Sequence, residues 1–229
     1  MRAPTPSQLT TLARKTDDWF RRASAALLSQ LPCRAGCSHC CIGLFPITRV
    51  DMRLLREGLA HLPVEQRESI KGRAAQQVAA LQSAYPQLLS SCSLDEWSDE
   101  EIDRAVSTFQ DTPCPALGDD GLCSLYAYRP LTCRSMGIPP RENTMVNGAC
   151  AIQTFVPIAR LSASLLREEQ ELAALEAAAL ATLPEAVEGE EILLPYAFLS
   201  GGMADASEDR LDADALNTCD VSTRDVNRM

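Results

Sequence analysis

Eight of the ten cysteines in this 229-residue chain fall into two compact groups, and that arrangement constrains the fold more than any other feature. The run CRAGCSHCC places Cys33, Cys37, Cys40 and Cys41 within nine residues, and a second group comprises Cys114, Cys123, Cys133 and Cys150. Thiolates are soft ligands that select zinc, copper(I) or iron–sulfur clusters, so two such groups predict a metal centre at the heart of the molecule. Disulfides are the rival use of cysteine, but they persist in oxidising compartments. The N-terminal stretch MRAPTPSQLTTLARKTDDWF lacks the apolar run of a secretory signal, so reduced thiols in the cytoplasm are expected.

The chain is long enough to bury one ordinary core, and staples are not required for want of bulk. It contains no run of about 18 apolar residues, which argues against a membrane-spanning helix. Its formal charge of −10 is uneven: residues 1–160 carry 17 basic and 16 acidic side chains, residues 161–229 only 4 and 15. Phosphate-binding surfaces need clustered Lys and Arg, and only short groups such as Arg21 with Arg22 occur, so no nucleic-acid partner is expected. A protein or small-molecule partner, of unknown identity, and no membrane are what remain.

Apolar spacing predicts helix over most of the length. Thr5, Pro6 and Gln8 form a start signal for a stripe of Leu9, Leu12, Trp19, Phe20, Ala23 and Leu27. Phe45 to Thr48 reads as extended, and Thr48 with Asp51 then opens a helix bearing Val50, Leu54, Leu55 and Leu59. Pro63 begins another, with Ile70, Ala74, Val78, Leu81 and Tyr85 on one side, which Pro86 ends. Ser98 with Glu101 makes a capping box before Ile102, Ala105, Val106 and Phe109. From Asp111 to Cys150 the chain is rich in Pro, Gly and Cys, the signature of turns and short strands around ligands. Residues 161–183 are again helical, being dense in Ala, Leu and Glu. The expected fold is mainly α, one helical domain over residues 1–200 around a Cys-rich, irregular or minor-β metal-binding core, with 201–229 as an acidic, disordered tail.

Within the first group, the CxxxCxxC spacing of Cys33, Cys37 and Cys40 can aim three sulfurs at one centre, and Gly36 allows the tight turn between them. Cys41 complicates this, because neighbours on an extended chain point to opposite sides and would not share one tetrahedral ion. Gly118 and Gly121 let the loop between Cys114 and Cys123 fold back. The two groups are expected to meet in space, closing the long intervening segment. Ligation of a structural zinc would then contribute about 10 kcal/mol of folding free energy.

In YAYRPLTCR, Arg129 and Arg134 can offset thiolate charge and Tyr126 can supply a hydroxyl, or Arg129 can simply hold a carboxylate of the fold. Pro130 sets the turn before Cys133. With eight sulfurs at hand His39 need not bind metal. His61 reads as a surface residue, and Cys92 and Cys219 as ordinary cysteines.

The ordered pattern of Cys33, Cys37, Cys40, Cys41, Cys114, Pro115, Leu117, Gly121, Cys123, Tyr126, Arg129, Pro130, Cys133, Arg134 and Cys150 resembles the YkgJ-type cysteine-cluster proteins, described as a zinc- or iron-chelating domain and grouped with flagellin lysine N-methylases. The likeness covers about half the chain. It implies that the eight cysteines bind metal or an iron–sulfur cluster; it does not imply flagellin methylation. The first spacing is also similar to that of radical S-adenosylmethionine enzymes, but the repeated strand–helix units of their barrel are missing here.

Two functional classes follow. In one, an iron–sulfur cluster gives a redox or group-transfer protein, an oxidoreductase or a methylase-like enzyme. In the other, zinc closed by sulfurs makes a structural interaction module without catalysis. No Gly-rich phosphate loop or hydrolytic triad suggests a different chemistry.

Overall fold

The strongest helix signals of the sequence are also the framework of the computed structural model, which describes residues 6–27, 37–138, 161–183 and 189–199. Cys33, Gly36, Cys150, Cys219 and the stretch 201–229 lie outside the described residues, as does Thr5. Among the described residues six α-helices follow in order: α1 (Pro6–Ala26), α2 (Arg49–His61), α3 (Val64–Ala84), α4 (Asp99–Thr108), α5 (Leu131–Ser135) and α6 (Ala163–Thr182). Two short strands, β1 (Pro46–Thr48) and β2 (Glu191–Leu193), pair antiparallel with Ile47 opposite Ile192. The fold is mainly helical, as the periodicity predicts.

The helix starts are chemical. Thr48 accepts the Asp51 amide at the start of α2, Ser98 and Glu101 cap α4 reciprocally, and Ser162 accepts the Leu165 amide at α6. Each bond satisfies an amide that the first helical turn leaves without a partner. The expected apolar stripes face inward: Leu9, Leu12, Trp19, Ala23 and Leu27 of the N-terminal segment are buried, as are Ile70, Ala74, Val78 and Leu81 of α3. Phe20, expected on the first stripe, is only half-buried.

The largest core cluster joins Leu55 and Leu59 of α2 to the α3 stripe, and is completed by Ile192, Leu193 and Phe198 from β2 and the 3₁₀ turn Leu194–Phe198 that follows it. Burying a side chain of this size fully is worth about 1.5–3 kcal/mol. A second cluster ties Leu9 and Leu12 of α1 to Val50 and Leu54 of α2 and Leu131 of α5. Among the described residues no helix is long and apolar enough to cross a membrane.

Gly58 is what lets α2 and the Cys-rich segment approach. A Cβ there would stand 2.6 Å from the Cβ of Tyr128 and 3.0 Å from a methyl of Leu125. His61, one turn further along α2, stacks on the Tyr128 ring with centroids 5.5 Å apart. Gly58→Val should therefore destabilise the fold by about 1–3 kcal/mol, the usual cost of overpacking; thermal unfolding followed by circular dichroism checks this.

Candidate metal centre

Cys40 and Cys41 do not lie on an extended chain. The Cys41 amide donates to the Ser38 carbonyl at 2.9 Å, winding His39–Cys41 into a 3₁₀ turn. Successive side chains on such a turn, with three residues per turn, are about 120° apart rather than opposed. The two thiols therefore lie on neighbouring sides of the turn and hydrogen-bond to each other. The expectation that adjacent cysteines must diverge is corrected by this local winding.

After the turn, the chain pairs with the start of the second cysteine group. The Gly43 amide donates to the Thr112 carbonyl and the Cys114 amide to the Cys41 carbonyl, both at 2.7 Å, with Ile42 bridged to Pro113. Two side chains of α3 fasten this segment on either side of Cys114. Gln77 donates to the Pro113 carbonyl at 2.7 Å, and Arg73 grips the Pro115 carbonyl through two nitrogens at 2.8 and 2.6 Å. Gly121, at φ +75°, turns the loop back as its spacing predicts, so that Leu117 bridges Cys123.

Cys133 arrives on α5. Leu131 and Thr132 of this short helix bind the fully buried carboxylate of Asp51, and Arg134 is anchored by Asp17 of α1 and by the carbonyls of Arg129 and Ala127 at 3.0 and 2.6 Å. Arg129 also pairs with Asp17, at 2.7 Å, and lies 4.0 Å over the Tyr126 ring. Both arginines therefore hold a carboxylate of the fold, and Arg129 in addition sits close enough to Cys40 and Cys123 to draw their thiols toward the ionised form. Tyr126 meets Arg129 with its ring face.

Five cysteines from three stretches of chain become electrostatic neighbours in this way: Cys40, Cys41, Cys114, Cys123 and Cys133. Burial pushes the Cys114 thiol up to about 12 and raises Cys123 and, far more, Cys133. Cys41 is raised first by its hydrogen bond to Cys40 and then by burial, whereas the same bond lowers Cys40. Each thiolate opposes the next, so the group resists ionising until positive charge enters. A zinc or iron ion is a charge of that kind, and sulfur-rich donors suit it. The donor chemistry fits.

Cys37 is half-buried three residues before Cys40, and His39 is exposed. Cys92 is buried in the main core. Among the described residues no three His, Cys, Asp or Glu side chains already stand in metal-holding geometry. Sequence reasoning missed Arg73, Gln77, Asp17 and the carboxylate role of Asp51. Arg73 and Gln77 share one polar helix face at i, i+4, but that spacing alone does not name a distant carbonyl as partner.

The sequence model of a family described as "CxxCxxCC: Putative zinc- or iron-chelating domain" matches residues 32–151, more than half of the chain. No curated protein and no solved structure matches it.

In metal-free, reduced protein, iodoacetamide should alkylate Cys40 at lower pH than Cys41, Cys114 or Cys133. Cys41→Ala removes the hydrogen bond that favours the Cys40 thiolate, and should shift Cys40 alkylation to higher pH. Peptide mass mapping across a pH series checks both.

Proposed function

Because the chain belongs to the CxxCxxCC family, we propose that it is a metal-binding protein in which Cys33, Cys37, Cys40, Cys41, Cys114, Cys123, Cys133 and Cys150 supply thiolates to zinc or iron. The observation that carries this reading is the gathering of five described thiols, from three stretches of chain, into one mutually interacting group beside Arg129. All seven described cysteines are free thiols, which suits a reducing compartment such as the cytoplasm.

The sulfurs outnumber the four that close a tetrahedral zinc site, and Cys40 with Cys41 offers two from adjacent positions. An iron–sulfur centre is held by four thiolates just as a zinc ion is, so eight can serve either, and a cluster would supply one-electron chemistry to a redox or group-transfer role. The second reading is a zinc tie without catalysis. It draws on position: the cysteine segments are fastened by α1, α2 and α3 together, where a closed ion would contribute folding free energy.

One purification separates the two. Protein prepared anaerobically should be brown, with broad visible absorption and bound iron and sulfide; a colourless preparation with stoichiometric zinc selects the structural reading. Cys123→Ser and Cys37→Ser should each lower the metal bound per chain, measured by elemental analysis. Full metal content in either variant would remove that residue from the ligand set.

A further inference from the structure

Asp51 stands three residues after the N-cap Thr48, where an acid ordinarily reaches back to the N-cap amide, as Glu101 does for Ser98 at 2.8 Å. Asp51 turns elsewhere. Its Oδ1 accepts the Leu131 amide at 2.6 Å and its Oδ2 the Thr132 hydroxyl at 3.3 Å. The side chain is 0 % exposed. A carboxylate removed from water is costly unless hydrogen bonds compensate it, and here the compensation comes from the first turn of α5.

That turn has need of it. Pro130, at the N-cap of α5, makes no side-chain cap, and the helix is only five residues long. Its first amide is met by an acid 80 residues away in the chain. Cys133 lies one residue beyond Thr132, and Arg134 is tied on the other side to Asp17.

We propose that Asp51 is a positioning residue for Cys133, holding α5 at the angle that presents this sulfur to Cys40, Cys41, Cys114 and Cys123. The proposal deepens the metal-binding reading above and rests on it. Asp51 has both of its carboxylate oxygens taken up by α5. It acts through the backbone and hydroxyl of the two residues before Cys133.

The test uses full-length reduced protein titrated with Co²⁺, followed by thiolate-to-cobalt absorption. Asp51→Ala should weaken cobalt binding by about 10- to 100-fold, the range seen when residues outside a ligand set lose their grip on it. Asp51→Asn keeps an acceptor for the Leu131 amide and should restore most of the affinity. In the Cys133→Ser background, Asp51→Ala should cost little more, because the residue it acts through is gone.

Equal losses in both backgrounds, or unchanged binding in Asp51→Ala, would overturn the proposal. Should Asp51→Ala lose its native circular dichroism, Thr132→Val, which removes one contact and leaves the carboxylate, takes its place in the same cycle. A smaller loss that vanishes with Cys133→Ser then supports the proposal, and no loss or an additive one overturns it. Wild-type protein that binds no cobalt would defeat the metal reading itself, whereas binding with additive losses defeats only the role of Asp51.

Discussion

The bond from the Cys114 amide to the Cys41 carbonyl joins two cysteine groups that are more than seventy positions apart in the chain. With the bond from Gly43 to Thr112 it makes a short antiparallel contact, with Ile42 facing Pro113. Everything proposed for the sulfurs depends on that contact. Without it, Cys40 and Cys41 would sit at the end of one loop and Cys114 and Cys123 at the end of another. The helices α2, α3 and α4 fill the interval between the two groups, so closing it also packs the largest core.

Polar side chains then tie the second cysteine group to three helices. Arg73 and Gln77 bring α3 to the carbonyls flanking Cys114, Asp51 brings α2 to the start of α5, and Asp17 brings α1 to Arg129 and Arg134. These partners are buried or half-buried, where charge-assisted hydrogen bonds are shorter and stronger than at the surface. The exposed pair of Arg21 with Asp18 on α1 contrasts with them, being screened by solvent and worth little. The apolar core shapes the domain; polar clamps aim its sulfurs.

The sequence made the helices legible because their signals are local. The Ser98–Glu101 box and the stripe of Ile70, Ala74, Val78 and Leu81 depend on residues within a few turns of one another, and both stand as read. Non-local features were not legible. The five-residue α5 is too short to show periodicity, and β2 with its following 3₁₀ turn reads as a bare apolar run whose partner, β1, is far away in the chain. Cys40 and Cys41 were expected to diverge because adjacent side chains alternate only on extended backbone, and a single bond to Ser38 changes that geometry. Asp51 illustrates the limit best, for its position predicts a local cap and its carboxylate serves another helix.

The pairing of β1 with β2 also sets how small a working fragment can be. The recognisable motif region ends at residue 151, yet Ile47 faces Ile192, and Phe198 and Leu194 sit within the same interior as α2 and α3. A chain cut at the motif's edge would keep every candidate ligand while stripping one wall from the hydrophobic body and exposing the unpaired edge of β1 to other chains. The apolar core therefore extends beyond the motif region, at least as far as Leu199.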